Sequence, residues 1–296
     1  MAMQFTEIGQ QLRAYRLESG LRAEEIAARL GVSRAALYRY EKGEVIKLDT
    51  IKRLAELLKI SPLSLLGIGV EYYNRPIGYA ERVRLIEETA DQVLQLTGAL
   101  CYLTTSDTYD ATLTSVFDEV AEQAGADRMA VRSQSEQLLG ILVARKRMYG
   151  MRRPGIIAMV SVPSVQRLLE TGIAGGVQVS DRLRRLCREV ASSEIANIAT
   201  LMETEPMGLQ FGLVAGAEPS TSFKILRSRT KVSLAVNPFR PDTHPAAQTG
   251  VAMITGADEA IAAHQRVAEA TWREALKGPA GAARLRQLIA AAGSDS

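Results

Sequence analysis

Apolar residues recur every three or four positions through the first 66 residues of the chain, which is the spacing of amphipathic helices. The pattern predicts five short helices between residues 5 and 68, among them a second at about 23–30 and a third at 33–42. Gly31-Val32-Ser33 separates these two: the glycine can adopt a positive φ, and the serine can cap the third helix. Residues 1–70 are therefore predicted to form a small all-α domain.

A second helical pattern follows the breaks at Pro76 and Gly78. Its apolar positions alternate spacings of four and three, as in a heptad seam: Tyr79, Val83, Ile86, Ala90 and Val93. We therefore expect a helix from Tyr79 to about Leu96, within a connector of residues 71–97. Such a seam can pair with its copy in a homodimer or dock onto the C-terminal domain of its own chain, and the pattern does not decide between the two.

From residue 98 onward, helical stretches alternate with short apolar runs of strand length. Strands are predicted at 100–103, 155–160, 209–214, 222–227, 231–236 and 250–254, and helices at about 111–124, 129–149, 163–172, 180–203, 257–276 and 280–291. Ser228-Arg229-Thr230 predicts a hairpin turn between two of these strands. Residues 98–296 are thus predicted to form a helix-rich α/β domain with a mixed sheet, an architecture that places pockets at strand ends.

The charge of the chain is unevenly distributed. Its formal net charge is +3, and residues 1–70 carry 11 basic and 8 acidic side chains, so the whole excess lies in the N-terminal segment. An excess of cations in one small domain favours binding to phosphates.

Specific residues of the N-terminal segment match a known pattern. They are Ile8-Gly9, Arg16, Glu25-Ile26-Ala27, Leu30-Gly31-Val32-Ser33, Leu37, Glu41-x-Gly43 and Leu54-Ala55. On these residues the segment resembles the Cro/phage-repressor (XRE) type of helix-turn-helix domain. The resemblance implies a lambda-repressor-like fold of five helices, in which the second helix crosses the backbone of double-stranded DNA and the third enters the major groove.

The resemblance also implies which residues contact DNA: Arg22, Ser33, Arg34, Ala35, Tyr38, Arg39 and Lys42. Arg34 and Arg39 are the candidates for reading guanine, because a guanidinium group matches the O6 and N7 atoms of that base. Ser33 and Lys42, at the ends of the third helix, are expected to hold phosphates. Arg22 stands where the family often has a Ser or Thr cap, so it would replace a polar phosphate contact with a charged one.

Arg16 and Glu41 match an ion pair between the first and third helices of the family, and we interpret them as structural. The alternative for the whole segment is a helical bundle that binds protein rather than DNA. We expect the exposed face of the third helix to present Arg34, Arg39 and Lys42 without an intervening carboxylate, which favours DNA.

Three segments of the C-terminal domain are candidates for binding a ligand. The first is a run of cations around Tyr149, suited to a carboxylate or phosphate, although the same cations would also complement a helix C-terminus. The second is the hydroxyl-rich segment 218–224, and the third is the proline-rich loop 237–245; either can instead be a plain turn. The candidate ligand-binding residues are Arg147, Tyr149, Arg152, Arg153, Ser222, Lys224, Phe239, Arg240 and His244.

Other classes of function lack their motifs. The chain has two cysteines, Cys101 and Cys187, and two histidines, and it has no P-loop, G-x-S-x-G or H-E-x-x-H motif. We therefore expect no enzymatic activity, cofactor or metal, and we expect the cysteines to be small core residues. With no long apolar run and no signal peptide pattern, we expect a cytoplasmic protein without a membrane span.

The sequence thus supports the hypothesis of a homodimeric transcriptional regulator that reads a pseudo-palindromic operator in double-stranded DNA. Its C-terminal domain is expected to bind a small polar or anionic metabolite that controls operator affinity. A regulator without a ligand, whose C-terminal half only dimerises or binds a protein partner, remains the alternative.

Overall fold

The secondary structure of the chain is helix-rich with one sheet. The computed structural model describes residues 5–66, 68–216, 220–239 and 248–294. Within these residues the helices are α1 Phe5–Ser19, α2 Ala23–Leu30, α3 Arg34–Glu41, α4 Leu48–Leu58, α5 Pro62–Leu65, α6 Pro76–Glu87, α7 Asp107–Gln123, α8 Arg128–Arg152, α9 Val162–Thr171, α10 Asp181–Thr204, α11 Asp258–Glu274 and α12 Gly278–Ser294. The strands are β1 Val70–Tyr73, β2 Gln92–Leu96, β3 Gly155–Ser161, β4 Leu209–Val214, β5 Ser222–Arg227, β6 Val232–Asn237 and β7 Ala252–Thr255.

The first five helices form the all-α unit that the sequence predicts, which we call the head (residues 5–66). Gly31 ends α2 with a φ of 71°, and the Ser33 hydroxyl accepts a hydrogen bond from the amide of Ala36 at 3.1 Å. This turn sets α3 across α2, as the serine cap and the glycine predict. The expected ion pair also forms, because Arg16 Nε lies 2.5 Å from Glu41 Oε1.

The rest of the chain, which we call the body (residues 70–294), is built on a seven-stranded mixed sheet with the order β1-β7-β6-β5-β2-β3-β4. β2, β3 and β4 run parallel, whereas the remaining neighbours pair antiparallel. The predicted hairpin joins β5 to β6, and its turn is closed by the amide of Ser228 donating to the carbonyl of Lys231 at 2.8 Å. The prediction of a helix-rich domain with a mixed sheet is confirmed. Among the described residues, none of the helices combines the length and hydrophobicity that crossing a bilayer requires.

The prediction of one helix from Tyr79 to Leu96 is wrong. The structure has α6 over Pro76–Glu87 and then β2 over Gln92–Leu96, which pairs with β3 on one side and β5 on the other. A short apolar run fits a buried strand as well as a helix, and the periodicity alone could not separate them. Residues 71–97 are thus part of the body rather than a free connector.

Four of the five residues of the heptad seam are buried and Ile86 is half-buried, so the seam offers little surface for pairing with a copy of itself. Tyr79 and Val83 are buried, because α6 packs between α1 and α8 of the same chain. Ala90 and Val93 lie beyond the helix, and both are buried as well. Of the two alternatives that the sequence left open, docking onto the chain's own body is the one the structure has.

Two further elements differ from the prediction. Leu100–Leu103 was expected to be a strand, but it lies in a loop that ends in a 3-10 turn, because β2 already occupies the position between β3 and β5. Conversely, no strand is predicted where residue 70 ends the first domain and residue 71 begins the connector, but the structure has strand β1 at Val70–Tyr73, paired antiparallel with β7. That pairing joins segments far apart in the chain, which local patterns do not reveal.

Head and body share one continuous hydrophobic core, joined mainly where α1 packs on α6. The Glu18 carboxylate accepts hydrogen bonds from the amides of Asn74 at 2.6 Å and Arg75 at 3.0 Å, and so caps the N-terminus of α6. Arg13 Nε lies 2.5 Å from Glu81, a fully buried carboxylate on α6.

A row of aromatic rings crosses the same interface, and we call it the aromatic row. Tyr15 of α1 stacks on Tyr73 of β1 with ring centroids 5.2 Å apart. Tyr73 meets Tyr79 of α6 edge-on at 6.5 Å, and Tyr79 meets Phe239 edge-on at 6.2 Å. The row therefore leads from the core of the head to the segment that follows β6.

The closeness of α1 and α6 depends on Gly78, and substituting it tests this packing. A Cβ at Gly78 would lie 2.5 Å from Glu18 Oε2 and 3.0 Å from Glu18 Cα. We expect Gly78→Ala to lower the free energy of unfolding by about 1–3 kcal/mol, because the two helices would have to separate. Urea denaturation followed by circular dichroism measures the change.

Gly140→Ala is the matched control, since Gly140 also lies in a helix and a Cβ there would meet no atom within 4 Å. It should stabilise the protein by about 1 kcal/mol through helix propensity alone. Equal shifts in both variants would show that the contact between α1 and α6 is not tight.

Candidate DNA-binding surface and ligand cavity

Six of the seven predicted DNA contacts are exposed together on the head, on what we call the α2–α3 surface: Arg22, Ser33, Arg34, Ala35, Arg39 and Lys42. Tyr38, the seventh, is half-buried. Arg22 occupies the N-cap position of α2 without bonding to the helix through its side chain, so its guanidinium group remains available at the helix start. Ser33 caps α3, and Lys42 follows its last turn.

Tyr38 holds Arg34 in place on this surface. Arg34 Nη2 lies 3.3 Å from the Tyr38 hydroxyl, and its guanidinium carbon is 5.3 Å from the centre of the ring. The guanidinium group of Arg16 lies 6.0 Å from the same ring. Since Arg16 is anchored by Glu41, the ring links the exposed Arg34 to the interior of the head.

The expectation of a face without intervening carboxylates is wrong. Arg34 Nη1 lies 2.7 Å from Glu24, and Arg39 Nε lies 3.3 Å from Glu44, with more than half of each side chain exposed. Glu24 comes from the neighbouring helix and Glu44 from beyond the end of α3, so neither is visible in the pattern of α3 itself. Exposed pairs of this kind contribute little to stability, because water and salt screen both charges. Both arginines can therefore exchange their carboxylate for another acceptor.

The body contains a cavity of about 280 Å³ between the sheet and the helices α6 to α9, close to the lower end of the range for small-molecule sites. Tyr79 and Val83 of α6 line it, together with apolar side chains of α7, α8 and α9. The segments Ser220–Lys224 and Asn237–Phe239 supply the remaining wall on the side of the sheet. Two members of the aromatic row, Tyr79 and Phe239, are thus cavity residues.

The sheet contributes polar residues flanked by small ones. Gln95 of β2 and Lys224 of β5 are register partners and both line the cavity. The next residues in the same row are Ala158 on β3 and Ala235 on β6. Because alanine side chains are short, this row leaves space above the sheet beside the two polar side chains.

A buried charge cluster, which we call the Glu87 triad, lies at the edge of the cavity. Arg145 donates to both oxygens of Glu87, at 2.7 and 2.9 Å, and Lys224 Nζ lies 3.1 Å from Glu87 Oε1. Burial alone would raise the pKa of Glu87, but the two cations lower it to about 2. Burial, aided by Arg145, lowers the pKa of Lys224 despite the attraction of Glu87.

Two buried polar atoms on cavity residues have no hydrogen-bond partner within the described part of the chain: the side-chain nitrogen of Gln95 and the hydroxyl of Tyr79. Leaving a buried donor unpaired costs about 1–3 kcal/mol. Burial also raises the pKa of Tyr79, so its hydroxyl stays protonated. Both atoms therefore add hydrogen-bond donors to this part of the protein.

The structure brings some of the predicted ligand residues together and separates others. Ser222, Lys224 and Phe239 all line the cavity, although the sequence placed them in two unrelated segments. Arg240 and His244 lie outside the described residues.

The predicted basic site around Tyr149 does not lie at the cavity. Arg147, Arg152 and Arg153 are exposed and Tyr149 is half-buried, and the four lie outside the cavity lining. Arg152 lies 3.5 Å from Asp91 at the body surface. Helix α8 makes this division, because Arg145 lies on its inner face while the later cations lie on its outer face or past its end.

Sequence reasoning grouped Arg145 with the exposed cations around Tyr149, and it missed Tyr79, Glu87 and Gln95 as cavity or triad residues. Their common signal is a polar group within a stretch that is otherwise apolar or predicted to be buried. Gln95 interrupts the run at 93–96, and Glu87 ends the buried face of α6. Such residues need a partner when they are buried, which marks them as candidates for a site.

Comparisons with known proteins bear on the head. Residues 7–65 match the family model of a helix-turn-helix domain. Over 85 residues the chain is 39% identical to the HTH-type transcriptional repressor RghR of Bacillus subtilis (strain 168), an alignment that covers 27% of this chain and 63% of that protein. The chain thus spans less than two thirds of that relative's length. No solved structure gives a significant match. The head is a helix-turn-helix domain, and the family model ends within it.

Replacing Glu87 tests the charge balance of the triad. Glu87→Gln leaves Arg145 and Lys224 buried without a counter-charge, so we expect a loss of about 3–5 kcal/mol in the free energy of unfolding at pH 7. The pKa of Glu87 is lowered from 4.5 to about 2, so its contribution is complete above about pH 4.5 and is lost as the pH falls toward 2. The variant should therefore lose less stability than the parent over that interval. Guanidinium denaturation at several pH values measures both effects.

Glu203→Gln is the control, because Glu203 pairs with Arg286 at 2.6 Å on the surface. It should cost no more than about 1 kcal/mol. If the two variants are equally stable at pH 7, the Glu87 triad is not the buried, unbalanced cluster described here.

Proposed function

We propose that the chain is a DNA-binding transcriptional repressor whose head inserts α3 into the major groove of double-stranded DNA. The observation that carries this proposal is the α2–α3 surface, where four cations are exposed on a helix-turn-helix domain. The repressor named in the comparison supports the same direction of control. In this class of domain the second helix crosses the backbone and the third contacts base edges.

The side chains of the α2–α3 surface divide into two roles. Arg34 and Arg39 read guanine edges, because each guanidinium group can donate two parallel hydrogen bonds to O6 and N7. The pairs with Glu24 and Glu44 must break first, and their exposure makes that exchange inexpensive. Arg22, Ser33 and Lys42 lie at helix ends, where they hold phosphates and fix the register of α3.

A single head supplies too little discrimination, and for this reason we propose a homodimer. The two bidentate pairs proposed for one head are together worth about 2–6 kcal/mol, which falls short of most of the range of about 4–10 kcal/mol by which specific binding typically exceeds nonspecific binding. Two heads on half-sites one helical turn apart, about 34 Å, would double the contribution and match a pseudo-palindromic operator. The dimer contact lies elsewhere than on the seam of α6, since Tyr79 and Val83 are buried within the chain and Ile86 is half-buried.

We further propose that a small molecule in the cavity controls operator affinity. Tyr79 and Phe239 line the cavity, and the aromatic row continues through Tyr73 to Tyr15 inside the head. A ligand that favours one position of Tyr79 would change how α1 sits on α6, and it can shift the equilibrium by its difference in affinity for the two positions. If the body only dimerised and bound no ligand, the cavity and the unpaired donors near it would have no role.

Two substitutions on α3 and its end distinguish base reading from phosphate binding. Arg39→Ala should weaken binding to the operator by about 1–3 kcal/mol and relax the preference at one base pair. Lys42→Ala should weaken operator and random DNA alike and reduce the slope of log K against log[salt] by about one. Fluorescence anisotropy with a DNA selected from a random pool, at several salt concentrations, measures both.

Arg185→Ala serves as the charge-matched control, because Arg185 is exposed on α10 of the body. It should leave both affinities unchanged. Equal behaviour of all three variants would contradict the assignment of the α2–α3 surface to DNA.

The homodimer makes its own prediction about operator spacing. A DNA with two half-sites should be bound at least ten-fold more tightly than one with a single half-site. Inserting five base pairs between the half-sites should abolish the gain, because the second site then faces the opposite side of the duplex. Sedimentation should give a particle of twice 32.2 kDa. If DNA with a single half-site is bound as tightly as DNA with two, and the protein sediments as a monomer, the homodimer proposal is contradicted.

A further inference from the structure

The charged residues that line the cavity are all of one sign. Within the described part of the chain they are Arg145, Arg167 and Lys224, and no Asp or Glu lines it. Lys224 lies on a central strand, yet a fifth of its side-chain surface stays accessible. Because Lys224 lines the cavity, this accessible surface lies against the cavity rather than the outer solvent.

The charges next to Lys224 do not balance. The Glu87 triad holds one carboxylate and two cations, and its side chains are mostly buried. One positive charge is therefore left without a counter-charge in a buried position, which is costly. One negative charge in the cavity would neutralise the triad, whereas a dianion would exceed its charge. Arg167, the other cation of the lining, lies on α9 outside the triad and bonds to Ser164 there.

The polar groups nearby have hydrogen bonds left to donate. Lys224 has three N–H groups and directs one hydrogen bond to Glu87 in the structure, and part of its side-chain surface stays accessible. The side-chain nitrogen of Gln95, its register partner, and the hydroxyl of Tyr79 are almost fully enclosed, so they do not reach the cavity themselves. The remaining N–H groups of Lys224 can donate to the oxygens of one carboxylate.

Apart from Arg145, Ser164 and Arg167, the wall formed by the helices is largely apolar. It consists of branched and aromatic side chains from α7, α8 and α9, namely Leu113, Phe117, Leu138, Leu142 and Leu168. Such a wall gains free energy by covering hydrocarbon, at about 25 cal/mol per Å² of apolar surface removed from water. The ligand therefore needs a compact apolar part next to its charged end.

From these observations we infer that the cavity binds a monocarboxylic acid with a compact apolar body, whose carboxylate accepts hydrogen bonds from Lys224. The inference rests on the proposed ligand control and names the chemical class of the ligand. The acid carries one negative charge, whereas a phosphorylated metabolite carries up to two and an amide of the same shape carries none.

Calorimetric titration of the full chain with matched probes tests the inference. The probes are octanoate and 4-phenylbutanoate, the amides of both, and octyl phosphate. We expect at least one acid to bind ten-fold or more tightly than its own amide. We also expect octanoate to bind more tightly than octyl phosphate, because only the monoanion neutralises the triad.

Lys224→Met sharpens the test, because it removes the excess charge and leaves Glu87 paired with Arg145. This variant should fold, and it should reduce the ratio of acid to amide affinity to near one. Lys146→Met is the matched control: Lys146 is the neighbour of Arg145 on α8 but pairs with Asp110 at 2.6 Å and lies outside the cavity lining. It should leave the ratio unchanged, and thermal unfolding of each variant verifies folding.

The outcomes separate this inference from the proposed function. Four outcomes would each overturn the inference that the ligand is a carboxylic acid. These are failure of both acids to bind, equal binding of acid and amide, tighter binding of octyl phosphate, and a ratio of acid to amide affinity that stays unchanged in Lys224→Met. Operator affinity measured with and without the bound acid tests control independently. An acid that binds as expected but leaves operator affinity unchanged supports the ligand class and overturns ligand control.

Discussion

The contact between α1 and α6 determines how every other part of this protein is arranged. Glu18 reaches across it to cap α6 through two backbone amides, and Gly78 lets the two helices approach closely enough for that bond to form. One side of α6 therefore packs on the head, and another side lines the cavity. Since head and body share a core, a displacement of α6 changes the packing of both. The α2–α3 surface and the Glu87 triad are thus connected through α1 and α6, since α1 packs on both α3 and α6.

The sequence predicted the head almost completely, because its signals are local. A glycine with positive φ, a serine cap and apolar residues three or four apart act within a few residues of each other, as at Gly31 and Ser33. Most helices and strands of the body were predicted for the same reason. The errors at residues 88–96 and at β1 arose where strand pairing between distant segments decides the structure. A run such as Gln92–Leu96 becomes a strand because β3 and β5 lie on either side of it.

The cavity could be predicted only in part, and the reason is again distance along the chain. Lys224 and Phe239 were identified from unusual local composition, but their proximity to Tyr79 and Arg145 is a result of the fold. The run of cations on α8 illustrates the limit. Sequence composition treated Arg145 and Arg147 alike, whereas the helix directs one into the triad and leaves the other in solvent. Which cations of such a run contribute to a site depends on the face of the helix on which each residue lies.

The arginines of the head and the cations of the body differ in a way that bears on control. Arg34 and Arg39 have exposed carboxylate partners, which are worth little and can be exchanged for DNA without rearrangement. Lys224 and Arg145 share one buried carboxylate, so their unbalanced charge is far more costly. Under the proposed ligand control, an anion in the cavity would therefore release more free energy than the loss of either surface pair. If part of that free energy depends on the position of α6, it is sufficient to change the docking of the head, which is what coupling between two sites requires.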